Sequence, residues 1–177
     1  MKSGSRRGPP KGSEWELLLC RRFSLWLSEG QRSDLFARNT ASGGAYTSAR
    51  KAGRDPGTPG DLMAATDDPR AHAFLHRWTI EAKHWKDLNF MAAVVKSSGD
   101  FYAAMKKAEE QAQQADRFFM LVAKQNFQPA ICLVPSSCGV AHRLQFAGTI
   151  YHLLWRRRVL ALQLAHLLET PPNMWLE

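Results

Sequence analysis

Trp78-Thr79-Ile80-Glu81-Ala82-Lys83-His84 decides the reading of this chain. Apolar and polar residues alternate along it, and in a β-strand successive side chains point to opposite faces. Trp78, Ile80 and Ala82 form one face, suited to a core. Thr79, Glu81 and Lys83 form the other, so a carboxylate and an ammonium stand side by side. A strand holds such a pair more rigidly than a loop does. Upstream, Pro59-Gly60-Asp61-Leu62-Met63-Ala64 reads as a turn and an apolar run with Asp61 at its mouth. The set Asp61…Glu81-x-Lys83 is a platform for metal-assisted chemistry. Taken alone, Glu-x-Lys is also what an ordinary solvated edge strand shows, so the neighbouring elements have to separate the two.

On the N-terminal side, Ser13 at an N-cap and Glu16 at the third helical position predict a capping box. Trp15, Leu18, Leu19, Phe23 and Trp26 give that helix a broad apolar face, and Gly30 ends it. Glu16 then has two readings: a cap partner, or an acid that leans over the sheet towards Asp61. Leu35 to Thr40 reads as a first strand, and Ala41-Ser42-Gly43-Gly44 as a sharp turn. From there to Gly60 the chain is polar, rich in Gly and Pro, and basic through Arg50, Lys51 and Arg54. A long loop of this kind is either functional, carrying positive charge to Asp61, or simply solvated.

Asp61 to Thr66 is the second expected strand, Asp67 to Pro69 a turn, and Arg77 to Lys83 the third strand. Between His84 and Ser98 no element is assigned. Phe101, Met105, Ala108, Ala112 and Ala115 recur at helical spacing and predict a helix from Asp100 to Asp116. Lys106 and Lys107 lie off that stripe and read as solvated. Phe118 to Ala123 is a buried strand ending in Lys124, and Ala130 to Val134 another, stopped by Pro135. Beyond it, a strand at Val159 to Leu162 followed by a short helix at Ala165 to Leu168 competes with one continuous helix from Ile150 to Leu168.

The chain has 177 residues and a formal net charge of +8, with a pI of about 9.8. Its length suits one domain with a buried core. The charge favours an anionic partner, and no apolar run is long enough to span a bilayer. Residues 1–12 read as a disordered basic arm without the apolar region of a secretory signal. Residues 13–177 read as a single domain, with 136–177 as a C-terminal extension that no motif covers. Cys20, Cys132 and Cys138 lack metal-ligand spacing and read as reduced thiols.

The order helix, three strands, helix, two strands describes a mixed α/β domain with a central sheet. In that order the residues resemble the PD-(D/E)XK nuclease superfamily. Its core runs α-β-β-β-α-β, with one acid on the second strand and Glu-x-Lys on the third. Asp61, Glu81 and Lys83 take those positions. Gly12-Ser13-Glu14-Trp15-Glu16 resembles the opening of archaeal-type Holliday-junction resolvases, which places Glu16 with the metal site. Ala41-Ser42-Gly43 is similar to the resolvase segment that sets a serine near the scissile phosphate, which points to Ser42. With Gly-Ser-Glu-Trp-Glu, Ser-Gly-Gly, Gly-Asp-Leu, Ile-Glu-Ala-Lys and the Lys124-Gln125-Asn126 strand end, the chain resembles phage and prophage endonucleases of this superfamily more closely still. The resemblance covers roughly Gly12 to Pro135. It departs at Gly60, where many members have Pro.

The resemblance implies a restriction-endonuclease-like fold and a Mg²⁺-dependent DNA endonuclease. The enzyme would be structure-selective, like a Holliday-junction resolvase, or nonspecific. It implies Asp61, Glu81 and Glu16 as ligands of Mg²⁺, with Mn²⁺ as a substitute, since hard cations take oxygen donors. Lys83 and Ser42 join them as catalytic residues. Arg38, Arg50, Lys51, Arg54 and Lys86 are the candidate phosphate contacts. The implied partner is DNA, branched forms included, with a homodimer as one open assembly and the cytoplasm of a bacterial host as the expected place. One or two metal ions remain open. A DNA-binding protein on the same fold, without cleavage, is the rival from another class, and a basic RNA-binding or virion protein is the third.

Overall fold

The computed structural model describes residues 11–40, 52, 58–90, 96–140, 143–144, 152–154 and 159–176. The first helix, α1 (Lys11–Leu27), buries Trp15, Leu19, Phe23, Trp26 and Leu27. These recur every three to four residues, as one buried face of a helix requires. Leu18, expected on that face, is exposed. Because α1 starts at Lys11, Ser13 lies inside its first turn and the expected capping box does not form. The helix ends through Glu29 and Gly30, both left-handed, with Gly30 N donating to Leu25 O at 2.7 Å.

Two short antiparallel strands follow, β1 (Phe36–Arg38) and β2 (Leu62–Ala64). The buried Ser24 hydroxyl ties α1 to β1: it donates to Cys20 O at 2.7 Å and accepts from Phe36 N at 3.0 Å. Helix α2 (Pro69–Arg77) then occupies a stretch to which the sequence reading gave no element. Its N-cap is Asp68, which accepts from Arg70 N, and Pro69 fills the first helical position. The expected turn at Asp67 to Pro69 is thus this helix's start. Phe74 of α2 packs against Phe23, Trp26 and Phe36 with ring centroids 5.5–5.8 Å apart.

The main sheet contains β3 (Trp78–Trp85), β4 (Phe118–Gln125), β5 (Ile131–Pro135), β6 (His152–Leu154) and β7 (Val159–Gln163), in the order β3-β4-β5-β7-β6. β3 and β4 are parallel, so the chain must cross over between them, and α3 (Asp100–Gln114) makes that crossing. The other pairings are antiparallel. A short helix, α4 (Leu164–Glu169), follows β7. The last third is therefore strand then helix, not one continuous helix, and β6 was not expected.

Both faces of β3 are covered. Trp78, Ile80 and Ala82 join a core with α1, α2 and α4. On the opposite face Phe101, Met105, Ala108 and Ala112 of α3 pack on Phe119, Leu121 and Leu133. Thr79 and Glu81 are consequently buried, at 0 % and 3 % exposure, and the solvated-edge reading of Glu81 fails. The C-terminal residues close the first core: Trp78 Nε1 donates to Trp175 O and Trp26 Nε1 to Thr170 O, both at 2.8 Å. A mixed sheet flanked by helices, in this order, is the restriction-endonuclease-like arrangement expected. No helix among the described residues is long and apolar enough to cross a membrane.

Candidate active site

Three expected residues meet where β2 approaches β3. Asp61 N donates to Ile80 O at 2.7 Å, which docks the start of β2 on the backbone of β3. The Asp61 carboxylate turns onto the next peptide and accepts from Ala82 N at 2.8 Å. Lys83 Nζ lies 2.5 Å from Glu81 Oε1 and 3.6 Å from Asp61 Oδ2. It also donates to Ala82 O at 3.2 Å. Asp61 is 5 % exposed and Glu81 3 %, whereas the Lys83 side chain is one-third exposed (33 %).

Two buried carboxylates share one ammonium, and burial penalises charge. Burial, then the charge of Asp61, push the Glu81 carboxyl above its ordinary value; Lys83 and Lys107 oppose this. Burial pulls Lys83 down, but Glu81 and Asp61 outweigh it, so its pKa is raised and it stays protonated at neutral pH. Lys107 of α3 is exposed, as a solvated lysine should be, and its charge reaches Glu81 only as the smallest of these effects.

The close approach at Gly60 explains the departure from Pro at this position. Gly60 has φ +86°, and a Cβ there would lie 2.6 Å from Ile80 O and 3.0 Å from Ile80 N. Proline cannot reach this conformation, since its ring fixes φ near −65°, and any side chain would strike backbone atoms of β3. Gly60→Ala should lower unfolding free energy by on the order of 3 kcal/mol or more in denaturant titration. A midpoint equal to wild type would mean that the turn can retreat from β3 without loss.

Asn39 also holds this turn, and its role could not be read from the sequence. It is buried; Nδ2 donates to Thr58 O at 2.7 Å and Gly60 O at 2.9 Å, and its backbone N donates to Asp61 O at 2.8 Å. A polar residue at a strand end was the only signal.

A family model described as phage putative PDDEXK endonuclease matches residues 8–156. The chain belongs to that family. No curated protein and no solved structure matches it. The family's description names an endonuclease.

The structure describes some of the other expected site residues of this PDDEXK family member. Glu16 forms an ion pair with Arg38, the expected phosphate contact on β1. Both act on the thiol of Cys20: burial, Glu16 and Asp61 raise it, and Arg38 opposes them, leaving it at about 12. No three Asp, Glu, His or Cys side chains are gathered at metal-binding spacing among the described residues. Lys86 is exposed just past β3. Ser42, Arg50, Lys51, Arg54 and most of the expected basic arm lie outside the described residues. At the strand ends, His84 Nε2 is 2.9 Å from Asn126 Oδ1, and Lys124 Nζ sits 5.5 Å over the Trp15 ring.

Proposed function

We propose that this protein is a divalent-metal-dependent DNA endonuclease that hydrolyses phosphodiester bonds, selective for branched or interrupted DNA or else nonspecific. The observation that carries this reading is the buried pair Asp61 and Glu81 with Lys83 between them. Such a site has one positive charge too few. Two hard carboxylate donors that lack a second counter-charge fit Mg²⁺ or Mn²⁺. Asp61 and Glu81 would hold the ion, with the Ala82 carbonyl beside them and Glu16 joining if it leaves Arg38. The ion would supply positive charge at the phosphoryl oxygens and at the attacking water.

The chain's own residues do the remaining work. The Ala82 N–H fixes the Asp61 carboxylate, so its orientation is set before substrate arrives. Lys83 stays protonated and therefore cannot act as a base. Its ammonium orients water and stabilises the negative charge that develops on the phosphoryl group. Water attacks phosphorus and releases a proton to solvent, the phosphorus–oxygen bond of the sugar leaving group breaks, and that oxygen takes up a proton from solvent. Ser42 would stand near the scissile phosphate. Arg38, Arg50, Lys51, Arg54 and Lys86 would neutralise flanking phosphates, giving affinity independent of base sequence.

Purified protein incubated in Mg²⁺ with a four-way junction, linear duplex and single strand tests the reading. Nicked or shortened strands are expected from at least one of them, and faster cleavage of the junction would establish the structure-selective form. Protein that binds these DNAs tightly in Mg²⁺ but cuts none would support the non-catalytic DNA-binding alternative.

A further inference from the structure

Lys83 begins a row that crosses the sheet. In register it is opposite Ala123 on β4, Ala123 is opposite Ile131 on β5, and Ile131 is opposite Gln163 on β7. Residues in register share a face, so the row lies on the face that carries Glu81. From Ala123 to Gln163 it lines a cleft of about 480 Å³, together with Leu88, Phe90, Gln125 at the end of β4 and Gln128 of the β4–β5 turn. Neighbouring strands are roughly 4.8 Å apart, so the cleft starts one strand away from Lys83.

Phe127 stands on the same turn. It is fully exposed, at 101 %, and has φ +62°, a conformation unfavourable for a bulky side chain. The turn is nonetheless held in place. Asn126 N donates to Trp85 O and Gln128 N to Gln125 O, both at 3.2 Å. The turn thus presents an aromatic ring that buries nothing in the fold. The charge around it suits a polyanion, because the chain carries no acidic residue from Arg117 to Leu168.

We propose that the cleft takes one unpaired nucleobase of a DNA substrate and that Phe127 stacks on it or on its neighbour. Leu88, Phe90 and Ile131 offer apolar walls to the base, and the glutamine amides can pair with its edge. Stacking on an aromatic ring accepts any base, which matches a protein that reads structure more than sequence. The inference rests on the nuclease reading and gives that site its substrate: DNA with an unpaired nucleotide close to the scissile bond.

The test measures binding in Ca²⁺ to a perfect duplex and to the same duplex with one bulged nucleotide, with 2-aminopurine at the bulge. Wild type should favour the bulged duplex by roughly tenfold or more, with a change in 2-aminopurine emission on binding. Phe127→Ala should remove most of that preference, and so should Gln163→Trp, which fills the cleft. Both side chains are exposed, so Tm and perfect-duplex affinity should hold, and Phe127→Tyr should keep the preference. Equal affinity of wild type for both DNAs, or a preference unchanged in both variants, overturns the proposal and leaves the nuclease reading standing. Wild type that binds no DNA overturns both.

Discussion

Lys83→Met should lower single-turnover cleavage in Mg²⁺ by on the order of a hundred- to a thousand-fold, while binding in Ca²⁺ stays near wild type. Methionine keeps the length and the apolar stem and removes the charge. That charge matters most when negative charge builds up on the phosphoryl group, so rate should suffer more than affinity. A second effect separates this from a surface change. The ammonium is the counter-charge of Asp61 and Glu81, both buried, so its loss leaves two carboxylates facing each other and destabilises the metal-free protein. The loss should ease on acidification, as Glu81 takes up a proton, and on addition of divalent ion. Cleavage within a few fold of wild type would make Lys83 a bystander.

Glu81→Gln should abolish cleavage yet leave the metal-free fold as stable as wild type, or more stable, at pH 8. Burial and Asp61 raise the Glu81 pKa. A raised acid contributes stability below its unfolded pKa and loses it as pH climbs through the folded value. As pH rises wild type therefore takes on more of the cost of a buried carboxylate, and the neutral amide avoids it. One carboxylate, Asp61, remains for Lys83. Thermal melts from pH 4 to 8 check this: the wild-type Tm should fall relative to the variant as pH rises. Mn²⁺ should raise the wild-type Tm at pH 8 and leave the variant's nearly unmoved. Lys83 does not enter this window, because its raised pKa keeps it charged beyond its ordinary 10.5. A variant that melts well below wild type at pH 8 would show that Glu81 is a structural anchor and not a strained ligand.

The alternation at Trp78 to Lys83 was legible because Trp78, Ile80 and Ala82 face the larger core while the polar residues face the other side, and Glu81 with Lys83 followed. Asp61 was legible through its turn. What escaped was mostly non-local. The clamp of Asn39 on Thr58 and Gly60 and the pairing of Glu16 with Arg38 join residues far apart in sequence, and no periodicity reports such contacts. Burial of the Glu81 face escaped too, because α3 covers it only after the parallel crossover. Helix α2 had a signal in Asp68-Pro69, an N-cap followed by proline, but the pair reads equally as a plain turn. Strand β6, three residues long, carries too little pattern to be seen.

Cleavage of a labelled four-way junction by the wild-type protein in Mg²⁺, in EDTA, and in EDTA followed by excess Mn²⁺ tests the central claim most directly. The buried Asp61–Glu81 pair as a divalent-ion site predicts product in Mg²⁺, none in EDTA, and recovery with Mn²⁺. Cleavage undiminished by EDTA would contradict it.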